Sequence, residues 1–327
     1  MLRGVFRTGY RGVARTALRH AGRQTQGVRY AGVSSQFSSM AEIKALRERT
    51  GAPILECKKA LADDEVGGDL EKAIDWLRKK GVAAASKRAD KDAAEGLVSV
   101  AVSDCGKIGA CVEMNSETDF VARNELFQGL LREITQKSLT LSVEGSDGHT
   151  DVTEAVLGEY ADQVAELGGK VRENIKLARA EVVQLSGDDD IVVSYVHNAL
   201  ASGMGTMGCL VGVAGNGELA GFGQQVALHV AAAGPLYLDE THVPSDDVER
   251  ESAVLREQAL ASGKPENIVD KMITGRIRKF FAETCLVDQE FVVDDTKRSV
   301  KKVAKEAGND VKGFVWRKVG NGSASGW

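Results

Sequence analysis

A short sequence pattern occurs twice in the central part of the chain. Residues 106–112 read GKIGACV, and residues 205–211 read GTMGCLV. Each copy follows a β-rich run and precedes a segment in which apolar residues recur at helical spacing. The pattern therefore predicts an α+β fold with a duplicated core, in which residues 96–190 and 191–320 each form a small antiparallel sheet with covering helices.

Helical patterns lie before and within this core. Residues 41–82 predict a domain of three short helices, and residues 83–95, rich in Ala, Lys and Asp, predict a linker or a loose helix. Residues 243–283 predict a helical hairpin that projects from the second half of the core. Its apolar stripe is interpreted as the seam between its own arms, with a groove for a partner as the alternative. The Gly/Ser-rich residues 321–327 predict a flexible tail.

The first residues of the chain differ in charge from all that follow. Residues 1–38 contain no lysine and no acidic residue, but they contain seven arginines: Arg3, Arg7, Arg11, Arg15, Arg19, Arg23 and Arg29. Six of these arginines are spaced four apart, as in a basic amphipathic helix. An Arg-rich leader without acidic residues is typical of a mitochondrial transit peptide and predicts the mitochondrial matrix as the destination. The alternative is a basic arm that binds nucleic acid.

The rest of the chain is acidic. Seven of the 42 basic residues lie in the leader, so 35 basic residues remain against 47 acidic ones, a net charge near −12. Such a body is expected to repel nucleic-acid phosphates. The five cysteines are scattered and never spaced as CxxC, which argues against a disulfide framework or a zinc site. No apolar run reaches the ~18 residues that a membrane span requires.

One motif stands between a predicted strand and a predicted helix. Residues 113–124 read EMNSETDFVARN, and apolar residues at helical spacing follow them. Asp119 and Phe120 are adjacent at this junction. In one interpretation the segment only begins the helix, and Phe120 starts its buried face. In the other, Phe120 is exposed and contacts a partner.

Residues 113–123 resemble the signature of the elongation factor Ts family. The resemblance implies a guanine-nucleotide exchange factor that promotes GDP release from the GTPase elongation factor Tu by inserting Asp119 and Phe120 near its magnesium and nucleotide site. It implies a binding protein rather than an enzyme, with no catalytic residue, cofactor or metal of its own. The expected partner-binding residues are Arg47, Ile54, Lys58, Thr118, Asp119, Phe120, Val121, Val171 and His197.

Further segments are similar to the same family. Residues 46–51 (LRERTG) and 58–61 (KKAL) resemble its ubiquitin-associated-like N-terminal domain, although the basic residues there also suit a solvated rim. Residues 170–175 (KVRENI) resemble its KIGENI segment, with Arg172 where glycine is usual. Thr206 stands where family members often have Arg or Lys. Bacterial members are expected to continue into a C-terminal helical module that this chain lacks.

Two histidines lie in predicted ordered elements. His197 matches a family position that touches elongation factor Tu, and the alternative is an ordinary edge-strand residue. His229 lies on an apolar helix and is predicted to be a core residue with satisfied hydrogen bonds.

Two segments of the sequence fit other functions. Residues 203–208 (GMGTMG) satisfy the G-x-G-x-x-G pattern of an NAD(P)-binding oxidoreductase, but a strand-like run follows them and the expected acid about 20 residues later is missing. We therefore predict a hairpin turn there. A ubiquitin-type binding adaptor rests on residues 41–82 alone and leaves the rest of the chain unexplained.

Overall fold

The structure is a computed structural model that describes residues 39–86, 91–141, 147–261, 266–320 and 322–327. Over these residues it is a mixed α/β protein with an antiparallel sheet of eight strands and ten α-helices. The strands are β1 (Glu95–Val102), β2 (Ile108–Ser116), β3 (Gly148–Asp151), β4 (Lys176–Gln184), β5 (Ile191–Ala201), β6 (Met204–Gly215), β7 (Asn309–Lys318) and β8 (Gly322–Gly326). The helices are α1 (Met40–Thr50), α2 (Ile54–Leu61), α3 (Leu70–Ser86), α4 (Asp119–Ala122), α5 (Glu125–Ser138), α6 (Thr153–Val171), α7 (Leu219–Ala233), α8 (Ser245–Ala261), α9 (Glu266–Thr284) and α10 (Val300–Glu306).

The strands form two groups of four that meet at one short ladder. Their order is β3-β4-β2-β1-β6-β7-β8, and β5 also pairs with β6. Strand β1 meets β6 only at Val98–Gly205 and Ser99–Met204. The two small sheets predicted for the core are therefore joined into one hydrogen-bonded sheet. The origin of the two halves by duplication stays a prediction.

The two halves of the sheet pack face to face. Side chains from both halves meet in an apolar layer between them: Val98, Val100, Cys111, Val183, Leu185, Val192, Leu210 and Val315. Helices α5 and α6 cover the outer face of the first half, and α7 and α10 cover that of the second. The core is thus a stack of helices, sheet, sheet and helices.

This layering buries central strands on both faces. Ser99 on β1 points away from the layer between the sheets and is still only 3% exposed. Two glycines allow the halves to approach closely. A Cβ atom on Gly208 would lie 2.8 Å from Cγ1 of Val100, and one on Gly109 would lie 2.7 Å from Cγ1 of Val192. Larger residues at these two positions would push the halves apart.

Helices α1, α2 and α3 precede the sheet in the chain. They surround a small apolar cluster of Ile43, Leu46, Ala52, Cys57, Ala60, Leu61, Val66 and Ala73. Helix α1 begins at a capping box, in which the side chains of Ser39 and Glu42 each accept a hydrogen bond from the other's backbone N–H. It ends at Gly51, whose φ of 66° is the left-handed conformation that favours glycine.

The third helix is longer than predicted. It continues through Gly81 to Ser86, so the first residues of the predicted 83–95 linker are helical. The run of alanines at 83–85 favours helix. Gly81 is tolerated inside α3 and lies against α6, where a Cβ atom on Gly169 would be 3.3 Å from its Cα. The absence of side chains at both glycines lets these two helices pack closely.

Helices α8 and α9 lie against each other as the two arms of a hairpin. Leu255, Ala259 and Val269 are buried between them, and Arg256 donates a hydrogen bond of 2.7 Å to Asp270 across the seam. The break predicted between the arms falls at 262–265, outside the described residues. The described residues of the apolar stripe on α9, Met272, Ile273, Ile277, Phe280 and Phe281, are half-buried, so its assignment to the hairpin's own seam stays a prediction.

The end of the chain differs from prediction. Residues 322–326, assigned to a flexible tail, form β8 and pair with β7 along their whole length. Trp327 then packs against Gly212 and Gly313 in the apolar layer. The Gly/Ser composition gave no strand signal because β7 supplies the ladder and the tryptophan supplies the packing. The predicted leader, residues 1–38, lies outside the described residues.

Candidate functional site

The Asp119–Phe120 pair lies on a one-turn helix between β2 and α5. Phe120 is 80% exposed, whereas Val121 and Ala122 beside it are buried in the core of the first half. The next helix, α5, begins separately, because the Asn124 side chain accepts a hydrogen bond from the backbone N–H of Leu126. The buried face of α5 is formed by other residues: Phe127, Leu131 and Ile134. The interpretation that Phe120 starts a buried face is therefore wrong.

The structure contradicts the prediction that Val121 contacts the partner. Its side chain is 9% exposed and packs in the chain's own core. It therefore fixes the position of α4 instead of presenting a free surface. Asp119 is exposed, and its carboxylate lies 3.5 Å from the guanidinium of Arg123 on the same turn. Such an exposed pair holds its partners weakly.

The residue before Asp119 is held by a glutamate from a distant part of the chain. Oε2 of Glu173 accepts a hydrogen bond of 3.0 Å from the Thr118 N–H, and Oε1 accepts one of 2.7 Å from the Thr118 hydroxyl. The Thr118 carbonyl in turn accepts a hydrogen bond of 2.8 Å from the Ser116 hydroxyl. Every polar group of Thr118 is therefore engaged.

Glu117, next to Thr118, accepts a hydrogen bond from the segment that contains Glu173. Oε1 of Glu117 accepts a hydrogen bond of 2.6 Å from the Asn174 N–H, while its Oε2 lies 2.8 Å from Nζ of Lys91. The side-chain amide of Asn174 donates to the Lys91 carbonyl at 2.7 Å. The segments 116–118 and 173–174 thus exchange carboxylate contacts. Sequence analysis missed these contacts, although both segments carry the family resemblance.

The end of α6 explains why the family usually has glycine at the position of Arg172. Helix α6 stops at Val171, and Arg172 caps it with a φ of 64°. Its N–H donates a hydrogen bond of 2.9 Å to the Gly168 carbonyl. This left-handed conformation is the one that favours glycine at a helix end. The glycine usual in the family therefore suits the helix cap, whereas Arg172 adopts the conformation at a cost. Val171 is half-buried against the same core.

The remaining predicted contacts lie on other elements. His197 is exposed on β5, which pairs only with β6 among the described strands, and its Nδ1 is 3.3 Å from the Tyr195 hydroxyl. Arg47 on α1 and Ile54 and Lys58 on α2 are all exposed. Next to Ile54, Leu55 is 59% exposed and was not predicted. The structure thus brings together Thr118, Asp119, Phe120 and Val121, joins the end of α6 to them through Glu173, and places the other four elsewhere.

The glycine pattern at 203–208 has the wrong context for a dinucleotide. Gly203, with a φ of 70°, turns the chain from β5 into β6, and the later glycines lie within β6. A phosphate-binding loop of this type requires a helix that begins at the glycines, and no helix begins there. A Cβ atom on Gly205 would collide with the His197 carbonyl across the hairpin. These glycines serve close strand packing.

In the part of the chain that the structure describes, no three His, Cys, Asp or Glu residues form a cluster suited to a metal ion. Among the same residues, no helix combines the length and the apolar character that a bilayer span needs.

Comparison with known proteins gives the family. The family model described as "Elongation factor TS" matches residues 117–321. The chain is similar to elongation factor Ts of Paramagnetospirillum magneticum, with 46% identity over 291 residues that cover 86% of this chain and 90% of the relative. It is 44% identical over 292 residues to that of Rhodospirillum rubrum, covering 86% and 92% of the two chains. It is 42% identical over 293 residues to that of Rhodospirillum centenum, covering 87% and 93%.

At most about a tenth of each of these bacterial relatives lies outside the match. The matched family model includes Glu117, Thr118, Phe120 and Glu173, the residues that build the site described above. The chain therefore belongs to the elongation factor Ts family.

Proposed function

We propose that this protein is the guanine-nucleotide exchange factor of mitochondrial elongation factor Tu. The observation that carries the proposal is Phe120, a large apolar side chain that is 80% exposed on a turn held by Thr118 on one side and by the buried Val121 on the other. A residue of this kind is suited to enter a pocket of another protein. An aromatic anchor of this type can contribute ~2 kcal/mol or more to an interface.

The mechanism is differential binding. An exchange factor shifts its partner away from the GDP-bound state only if it binds the nucleotide-free state more tightly. A GTPase holds GDP through phosphate-binding loop amides and a magnesium ion. We propose that Phe120 wedges into the G domain while the Asp119 carboxylate disturbs the groups around the magnesium. The diphosphate charge is then less well neutralised, and GDP leaves faster.

Other parts of the chain extend the proposed interface. Arg47, Ile54 and Lys58 on the N-terminal helices and His197 on β5 are exposed and available for contact. Val171 lies where α6 meets the clamped segment, and we assign it a supporting role. In this proposal the N-terminal helices are the ubiquitin-associated-like domain of the family, and the core arose by duplication.

The protein acts by binding, so we propose that it is not an enzyme and needs no cofactor of its own. The acid-free leader with seven arginines supports import into the mitochondrial matrix. N-terminal sequencing of the protein from cells tests this part. A full-length cytosolic protein is the result that contradicts it.

The exchange function is tested by release of a fluorescent GDP analogue from purified mitochondrial elongation factor Tu. Addition of this protein is expected to accelerate release in a concentration-dependent way. Release at the intrinsic rate at all concentrations would contradict the proposal. A bound nicotinamide or flavin in the purified chain would instead favour the oxidoreductase alternative.

A further inference from the structure

Most of the Phe120 side chain lies outside the protein's own packing. Its ring is 80% exposed, and the adjacent Asp119 has only an exposed ion pair with Arg123. Exposed pairs of this kind contribute little to order. The direction of the ring therefore depends on the backbone on either side. After Phe120, Val121 is anchored in the core. Before it, the anchor is Thr118.

Thr118 is held by one carboxylate through two hydrogen bonds. Glu173 accepts from the Thr118 N–H at 3.0 Å and from its hydroxyl at 2.7 Å, with a different oxygen in each case. Hydrogen bonds to an ionised group are stronger than neutral ones. Two bonds to one residue also fix its orientation and not only its distance. This arrangement determines how the chain enters α4.

Glu173 is itself held in place. Helix α6 ends in the left-handed turn at Arg172, and a Cβ atom on Gly168 would lie 3.0 Å from the Glu173 carbonyl oxygen. The chain therefore folds back tightly on the last turn of α6. The next residue, Asn174, donates its N–H to Glu117 at 2.6 Å, which ties the two segments together a second time. The backbone position of Glu173 is thus fixed by contacts on both sides.

We propose that Glu173 is a positioning residue for nucleotide exchange. Its carboxylate sets the orientation of Thr118, and Thr118 in turn orients Asp119 and Phe120 toward the GTPase. Glu173 acts through Thr118 in this proposal. The inference rests on the exchange function proposed above and adds to it a residue that does not touch the partner.

The test compares two replacements of Glu173. In Glu173→Ala both bonds to Thr118 are lost. In Glu173→Gln both can be kept, because the amide oxygen accepts from the Thr118 N–H and the amide N–H donates to the Thr118 hydroxyl oxygen. Glu159→Ala is the matched control, because it removes an exposed glutamate of the preceding helix α6 that pairs with Lys137 at 3.0 Å. GDP release from elongation factor Tu is measured over a range of exchange-factor concentrations, with thermal unfolding of each variant.

A positioning role predicts a split between rate and affinity. Glu173→Ala should lower the maximal release rate about tenfold or more, since small misplacements of a reacting group are costly. The concentration for half-maximal release should change much less, because the other contacts remain. Glu173→Gln should recover most of the rate, and Glu159→Ala should behave as the unchanged protein does.

Three outcomes would overturn the inference. The first is an unchanged maximal rate in Glu173→Ala when Phe120→Ala abolishes release. In that case the proposed exchange function stands, and only the role of Glu173 fails. The second is a changed half-maximal concentration at constant rate, which is the mark of a direct contact. The third is equal loss in the Ala and Gln variants. If Phe120→Ala also has no effect, the exchange function itself fails. Should Glu173→Ala not fold, Thr118→Val removes the hydroxyl bond alone, and an unchanged rate in that variant would count equally against the proposal.

Discussion

Arg317 on β7 donates a hydrogen bond to Glu181 on β4, and the two side chains are each only 2% exposed. The pair crosses the apolar layer between the two halves of the sheet. Nε2 of His149 on β3 lies 2.9 Å from the same Glu181 oxygen. A buried ion pair costs much desolvation, but each charge then depends on its partner. This pair therefore links the two halves at a position where neither charge can stand alone.

Removal of one member of this pair is expected to be far more damaging than removal of both. Arg317→Met leaves the buried Glu181 carboxylate with only His149 beside it and should lower the free energy of unfolding by about 3–5 kcal/mol. The double variant Arg317→Met, Glu181→Met should recover most of that loss. Urea unfolding of the three proteins measures the difference. Additive losses in the double variant would show that the two residues act independently.

Phe120→Ala separates exchange from stability. Because the Phe120 ring is 80% exposed, its removal leaves no internal cavity and should change the free energy of unfolding by less than about 1 kcal/mol. Phe127 in α5 is fully buried and is the matched control, and Phe127→Ala should cost about 3–5 kcal/mol. The GDP release rate should fall sharply in Phe120→Ala. Unfolding of Phe120→Ala, or unchanged release, would contradict the wedge.

Asp119→Asn tests the electrostatic part of the same site. The amide keeps nearly the shape of the carboxylate and removes its charge, so folding should be unaffected at this exposed position. Release should slow, but less than in Phe120→Ala, if the carboxylate acts on the groups around the magnesium. The comparison is made at several magnesium concentrations. A wild-type rate in Asp119→Asn would remove the charge from the proposed mechanism.

Arg172→Gly is expected to stabilise the protein. Arg172 holds a φ of 64°, which costs a residue with a Cβ atom roughly 1 kcal/mol relative to glycine. The added flexibility of glycine in the unfolded chain offsets part of this gain. Arg172→Ala removes the guanidinium and keeps the strain, so it is the control. Thermal unfolding should rank glycine above both, and equal stability of the glycine and alanine variants would show that backbone strain is not the cause.

His229 is predicted to make stability depend on pH. It is fully buried; its Nδ1 accepts a hydrogen bond from the Val292 N–H at 3.2 Å, and its Nε2 lies 2.9 Å from Oε1 of Gln289. Nδ1 is thus an acceptor and Nε2–H a donor, so the ring is neutral. Burial lowers the pKa of His229 in the folded protein. This satisfied environment agrees with the predicted core role.

The sign of the effect follows from proton uptake. Below the unfolded pKa of about 6.5, the unfolded chain binds a proton that folded His229 does not. The free energy of unfolding should therefore fall as the pH decreases below about 6.5, by at most about 1.4 kcal/mol per pH unit from this residue. His229→Gln should be less stable at neutral pH and should lose part of this slope between pH 7 and 5. If the free energy of unfolding of both proteins fell equally with decreasing pH, His229 would not be the source of the pH dependence.

Local patterns predicted much of the fold. The spacing of Leu131 and Ile134 and the capping side chain of Asn124 all lie within or next to α5, so the sequence was sufficient to place this helix. Burial of Ser99 was not predictable, because it depends on the layers that pack on both faces of β1. Strand β8 was missed for a similar reason, since its glycines and serines form a strand only through pairing with β7.

The candidate site shows the same limit. Periodicity alone does not decide which of Phe120 and Phe127 is buried, because both lie near the start of a helical pattern. The family resemblance selected Phe120, and the separate cap at Asn124 gives the physical reason. The contact of Glu173 with Thr118 joins residues 55 positions apart. It is a product of the tertiary fold, and no local pattern predicts it.

The last prediction concerns the hairpin of α8 and α9. The chain segments at its base are held together by the core itself: the N–H groups of Leu236 and Tyr237 donate to the Thr284 carbonyl at 2.9 and 3.2 Å, and the Leu286 N–H donates to the Tyr237 carbonyl at 2.8 Å. Replacing residues 245–283 by a short Gly/Ser linker should therefore leave a core that unfolds cooperatively.

Several hydrogen bonds between the hairpin and the core will be lost in that deletion. The Gln289 side-chain amide donates to the Glu283 carbonyl at 2.8 Å, and the Cys285 N–H donates to the Phe281 carbonyl at 2.8 Å. The Tyr237 hydroxyl donates a hydrogen bond of 2.7 Å to Asp247 on α8. Asp247→Ala removes this bond together with the exposed ion pair to Arg250, and it should lower the free energy of unfolding by about 1 kcal/mol. The deletion should cost more than that but leave the core cooperative, because Leu255, Ala259 and Val269 bury their side chains within the hairpin. Urea unfolding followed by circular dichroism measures both variants. A broad, non-cooperative transition in the deleted protein would mean that the hairpin is part of the core and that its apolar residues stabilise more than their own seam.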